Sequence, residues 1–158
     1  DAMLFLSLLS GRNPHYLIGE QVISAPIVKD IGLEAISTGY ILLDGGNVTS
    51  VEFMSGTRPI PMDKKDIVAS HALAGQYLGM KSIYLEAGSG AKNYIPSDIV
   101  ELVSNFVSIP IIVGGGISSP KIAAKLVKAG ASIIVTGTAI EKNHSCMIDF
   151  ASAVHWKG

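Results

Sequence analysis

The run Tyr84-Leu85-Glu86-Ala87-Gly88-Ser89-Gly90-Ala91 sets a phenol and a carboxylate two positions apart and follows them with a loop of small residues. Alternate residues of an extended strand share a face, so Tyr84 and Glu86 point the same way. An acid between the apolar Leu85 and a glycine loop suits a general base or a ligand for a hydroxyl, whereas the plainer reading is an exposed strand-end carboxylate. Gly88 and Gly90 let backbone amides come close to a ligand. Two later runs repeat the theme. Val113-Gly114-Gly115-Gly116-Ile117-Ser118-Ser119-Pro120 leads a glycine turn into a helix start, and Val135-Thr136-Gly137-Thr138-Ala139 ends the last strand on an equally permissive backbone. Each loop alone could be only a tight turn. Three at successive strand ends suggest a phosphate held by amides and helix dipole.

The elements that must position these loops alternate along the chain. Ala2 to Leu9 reads as a strand closed by Ser10-Gly11-Arg12-Asn13-Pro14, and His15 to Ile31 as a helix broken or restarted at Pro26. Glu34 to Leu43 is a second buried strand ending at the turn Asp44-Gly45-Gly46-Asn47, with a short extended piece over Val48 to Phe53. Asp63 caps a helix to about Leu78, Ser82 to Glu86 is a strand, and Pro96 to Val107 is a helix. Ile109 to Val113 is a strand, Pro120 to Ala129 a helix, Ser132 to Thr136 a strand, and Cys146 to about Trp156 a last helix. Short apolar strands separated by amphipathic helices mean a parallel sheet covered by helices. No Gly-x-Gly-x-x-Gly run opens a helix, which argues against a doubly wound nucleotide fold. A (β/α)8 TIM barrel places its site at the carboxyl ends of its strands, where the small residues gather here. Five strands are legible and a barrel needs eight in roughly 200 or more residues. The expectation is an α/β chain holding about strands four to eight of a barrel, residues 1–158 as one partial domain, entered in its middle at Asp1.

Composition narrows the function classes. The 158 residues are 48% hydrophobic and carry twelve Lys and Arg against thirteen Asp and Glu, a net charge of -1. There is no broad cationic field for a nucleic-acid backbone or an anionic membrane, so any phosphate is gripped locally. The single cysteine, Cys146, excludes an internal disulfide framework and a multi-cysteine metal site. No apolar run reaches the ~18 to 20 residues of a membrane span, and a cytoplasmic location is expected.

Taken together, Tyr84 to Gly90, Ile112-Val113-Gly114-Gly115-Gly116-Ile117, Val135-Thr136-Gly137-Thr138, Leu4 to Pro14 and Thr38-Gly39-Tyr40-Ile41-Leu42 closely resemble the geranylgeranylglyceryl phosphate synthases, archaeal-type prenyltransferases of ether-lipid synthesis. The resemblance implies a TIM-barrel enzyme joining the C3 hydroxyl of sn-glycerol 1-phosphate to a prenyl diphosphate, geranylgeranyl diphosphate, with release of diphosphate. By motif, Tyr84, Leu85, Glu86, Ala87, Gly88, Ser89 and Gly90 would line the glycerol phosphate. Gly115, Gly116, Gly137 and Thr138 would hold its phosphate, and Glu86, beside Tyr84, would take the hydroxyl proton. Tyr40 would bound the prenyl side. Mg2+ is the implied cofactor, with its ligands upstream of Asp1 and none in this chain, so the isolated chain is expected to be inactive. Asp44 is weighed as turn chemistry. Rival readings are another phosphate-binding barrel enzyme, such as a sugar-phosphate isomerase or a biosynthetic synthase, or a non-catalytic phosphate-binding subunit.

Remaining features are secondary. Lys121, Lys125 and Lys128 at helical spacing suggest a solvated face, and His15, His71, His144 and His155 form no metal-ligand spacing. Arg12 is balanced between a diphosphate contact and a turn residue, and Arg58 is placed in a loop that could act as a lid. Phe150 and Trp156 near the terminus make a homo-oligomer the expectation, with peripheral contact to membrane lipid products.

Overall fold

The structure, a computed structural model, describes residues 1–155. Five parallel strands, β1 (Ala2–Leu8), β2 (Glu34–Leu42), β3 (Ser82–Glu86), β4 (Ile111–Gly114) and β5 (Ile133–Val135), lie side by side in chain order. Each strand pairs only with its sequence neighbours and the order never reverses. A doubly wound sheet would turn back at a switch point, so this is the singly wound succession of an α/β TIM barrel.

The connections are helical: α1 (Glu20–Asp30) follows β1, α2 (Ser50–Ser55) and α3 (Lys65–Tyr77) follow β2, and α4 (Ser97–Phe106) follows β3. α5 (Pro120–Lys128) follows β4, and α6 (Thr138–Lys142) and α7 (Met147–Val154) follow β5. Strand alternation sorts the core. Ile41, Leu43, Ile83, Leu85, Ile111 and Val113 form one apolar layer with Val68, Ala72, Ile99, Val103 and Leu126 of α3, α4 and α5. The other face carries the polar rows. Register sets Thr38 against Ser82, Tyr40 against Tyr84, and Leu42 against Glu86, with Glu86 in turn against Gly114. The lowest row is closed by a 2.8 Å bond between the Thr38 and Ser82 hydroxyls.

Several elements depart from the expectation. α1 runs through Pro26 without a break, because Pro26 sits on the exposed side, where the carbonyl it leaves without a donor can meet water. Val48 to Phe53 is not extended: Thr49 caps α2 by accepting from the Glu52 amide at 3.1 Å, and Thr49-Ser50-Val51-Glu52 has the Thr-x-x-Glu form of a helix start. Asp63 is not a cap either. α3 begins at Lys65, and the Asp63 carboxylate lies 3.4 Å from Lys64 Nζ. α6 and the single 3-10 turn His144–Cys146 precede the last helix, which starts at Met147. Phe150 faces inward at 5% exposure and so offers no surface for association, and Trp156 lies outside the described residues.

Candidate active site

Glu86 ends β3, and the strand's alternation turns it with Tyr84 toward the inner face of the sheet. It is 7% exposed, and its carboxylate is held from two sides: the Tyr84 hydroxyl donates to it, and the Gly88 amide donates to Oε1 at 2.6 Å. Burial pushes its pKa above the ordinary 4.5, and the two donors pull the other way. Burial, reinforced by the charge of Glu86, also drives the Tyr84 and Tyr40 phenols upward, so both stay protonated at neutral pH. The Tyr40 ring meets Tyr84 edge-on at 5.2 Å.

Glycine makes this arrangement possible at two positions beside the acid. A Cβ on Gly114 would lie 2.5 Å from Glu86 Oε2 and 2.6 Å from the Tyr84 hydroxyl. On Gly115 it would lie 2.6 Å from both Glu86 Oε1 and the Gly88 nitrogen, and the Gly115 φ of +84° favours glycine in any case. The triple glycine is thus shaped by the carboxylate that it surrounds.

A cavity of about 710 Å³ opens over this face. Tyr40, Tyr84, Glu86, Gly88, Ser89 and Gly90 line it, and Gly115, Gly116, Gly137 and Thr138 close it from the next two strand ends. Leu85 and Ala87 do not line it. Both are fully buried in the layer against the helices, because the period of two turns Leu85 of β3 away from the site and the Ala87 amide, donating to the Gly114 carbonyl at 3.1 Å, carries the pairing one residue further. Ser118, in the glycine run after β4, borders the cavity as well, and so do Thr49, Ser50 and Lys142, which sequence reasoning does not mark as site residues. The Thr-x-x-Glu form at Thr49 was the available signal for Thr49 and Ser50. Nothing local marks Lys142.

Arg12 turns away from the cavity, donating to the Gly11 carbonyl at 3.0 Å and approaching His71 Nε2 of α3 at 3.4 Å. Arg58 is exposed and does not border the cavity either. Asp44 accepts from the Gly46 amide at 2.9 Å, which is turn chemistry. Among the described residues no group of three or more His, Cys, Asp or Glu could hold a metal ion, and no helix is long and apolar enough to cross a membrane. The one carboxylate at the cavity is already committed to a phenol and an amide, so these residues do not fit Mg2+.

This geometry can be set beside known proteins. The geranylgeranylglyceryl phosphate synthase of Chitinophaga pinensis is 54% identical over 155 residues, 98% of this chain and 62% of that protein. Among solved structures, the wild-type synthase of Thermoplasma volcanium superposes with a TM-score of 0.89 at 33% identity, covering 98% of this chain and 62% of that one. The (S)-3-O-geranylgeranylglyceryl phosphate synthase of Thermoplasma acidophilum, in complex with its substrate sn-glycerol-1-phosphate, gives 0.85 at 37% identity, covering 98% and 60%. The chain therefore spans about three-fifths of the length of these relatives. The singly wound sheet and the acid clasped among glycine loops agree with that likeness, and with the PcrB family model matching residues 1–155 the chain belongs to the PcrB family.

Proposed function

We propose that the protein is a prenyltransferase forming the ether bond between the C3 hydroxyl of sn-glycerol 1-phosphate and geranylgeranyl diphosphate. The observation that carries this reading is a single buried carboxylate, Glu86, fixed by Tyr84 and Gly88 in a cavity whose remaining rim is glycine-rich backbone. A small phosphorylated alcohol suits such a site. The Gly115, Gly116, Gly137 and Thr138 backbone receives the phosphate through N–H groups, without the basic side chains that a net charge of -1 makes scarce. Glu86 then meets the far end of the molecule, the hydroxyl.

In the reaction the allylic carbon–oxygen bond to diphosphate breaks as the C3 oxygen bonds to that carbon. The hydroxyl proton passes to Glu86, and diphosphate leaves with the bonding pair. A raised carboxyl pKa makes Glu86 a better proton acceptor, and the Tyr84 hydroxyl, kept protonated, holds it in line. Tyr40, edge-on to Tyr84, bounds the prenyl side. Mg2+ accompanies the diphosphate in this reading, but its ligands are not proposed among the described residues. A cytoplasmic location with peripheral access to membrane lipid belongs to the same reading.

The test incubates full-length protein with labelled sn-glycerol 1-phosphate, geranylgeranyl diphosphate and Mg2+ and extracts ether product. Glu86→Gln keeps the shape and removes the base, so turnover should fall about 10²- to 10⁴-fold. Absence of product from folded wild-type protein would reject the activity, and wild-type turnover by the Gln variant would reject the base.

A further inference from the structure

Thr49 lies on the loop after β2, is 8% exposed, and splits its two branches between different tasks. Its hydroxyl accepts from the Glu52 amide at 3.1 Å and caps α2. Its methyl group points the other way, into the loop after β3: a Cβ built on Gly88 would lie 2.2 Å from Thr49 Cγ2 but 3.9 Å from Oγ1. Gly88, at a φ of +100°, is the residue whose amide holds Glu86. The two loops are clasped along their length. The Asn93 amide donates to the Gly45 carbonyl at 3.0 Å, the Lys92 amide donates to Asn47 Oδ1 at 3.1 Å, and a Cβ on Gly45 would lie 2.2 Å from the Ala87 carbonyl oxygen. Thr49 thus touches both the start of α2 and the residue whose amide holds the acid.

We propose that Thr49 is a positioning residue for Glu86: its methyl group presses the Gly88 backbone into the one placement from which that amide reaches the carboxylate, so the loop after β2 sets the base on β3. The inference rests on the reading of Glu86 as the base. It separates the two branches of one side chain, because Thr49→Ser keeps the cap and loses the methyl, and Thr49→Val keeps the methyl and loses the cap.

The measurement is the titration of the Glu86 carboxyl by carbon-13 NMR of glutamate-labelled protein, assigned with Glu86→Gln. Tyr84 and Tyr40 face that carboxyl from β3 and β2, and Lys142 and Cys146 also line the cavity; all four are unchanged in both variants. Thr49→Ser should move the Glu86 midpoint up by about one pH unit, the effect of loosening one charge-assisted hydrogen bond, and the acid limb of kcat/KM should move with it. Thr49→Val should leave both where they are while lowering thermal stability. A Ser variant that titrates with wild type, or a Val variant that shifts as far as Ser, overturns the proposal. Product formation by the wild-type protein is scored separately: if the titration moves as expected and no ether is formed, the positioning stands and the reaction does not.

Discussion

Gly114→Ala isolates the packing of the site from the strain of its backbone. Gly114 closes β4 directly across from Glu86 and is absent from the glycines with positive φ, so alanine costs it no left-handed conformation. The whole effect is the added methyl, 2.5 Å from Glu86 Oε2, 2.6 Å from the Tyr84 hydroxyl and 3.0 Å from the Tyr84 ring. Ordinary contact begins near 3.4 Å, so the acid must withdraw by about 0.9 Å and the phenol by about 0.8 Å. Each can withdraw toward the cavity only by giving up a partner: Glu86 is tied to the Gly88 amide and Tyr84 rests on Tyr40. A displacement of ~1 Å at a reacting group costs about 10² in rate. Overpacking a full core costs about 1 to 3 kcal/mol. The assay pairs ether formation from labelled glycerol 1-phosphate with thermal unfolding, and kcat should fall about a hundredfold in a protein that still folds. Gly32→Ala is the control, since Gly32 has a φ of +66° and nothing within 4 Å, so it should lose about 1 kcal/mol of stability and no activity. A folded Gly114→Ala protein with undiminished turnover would show that the contact between Glu86, Tyr84 and Gly114 has no part in the reaction.

Four further outcomes are expected from the structure. Because burial raises the Glu86 pKa and the base must be ionised, kcat/KM should fall as pH drops through a midpoint above 4.5; for the same reason ionised Glu86 lowers stability as pH rises past 4.5, so Glu86→Gln should melt higher than wild type at neutral pH, and both are read from pH profiles of rate and melting temperature. Since the phosphate is assigned to backbone amides, EDTA should leave sn-glycerol 1-phosphate affinity unchanged by calorimetry. Ser119 caps α5 by accepting from the Ile122 amide at 3.4 Å, so Ser119→Ala should cost about 1 kcal/mol in denaturant unfolding.

The alternation of apolar strands with amphipathic segments, and the glycine runs after three of them, were legible in the chain itself, because both are consequences of local periodicity. Period two alone turned Tyr84 and Glu86 to one face, and it also implied that Leu85 would turn to the other. The motif carried Leu85 and Ala87 into the site, and the pleat took them out of it. Helix starts were read less well. Asp63 has the right chemistry for a cap but stands two residues from α3, whereas Thr49, which does cap, lies in the stretch Val48 to Phe53 expected to be extended.

What the sequence determined by itself was the class of fold and the residue types of the site, since strand period, helix period and glycine turns are written within a few neighbouring positions. Only the tertiary structure decided that Gly114 stands opposite Glu86, that the Thr49 methyl rests on Gly88, and that Arg12 turns to His71 instead of the cavity. Those contacts join residues 28 to 59 positions apart, and they depend on register and loop packing, which no local pattern encodes.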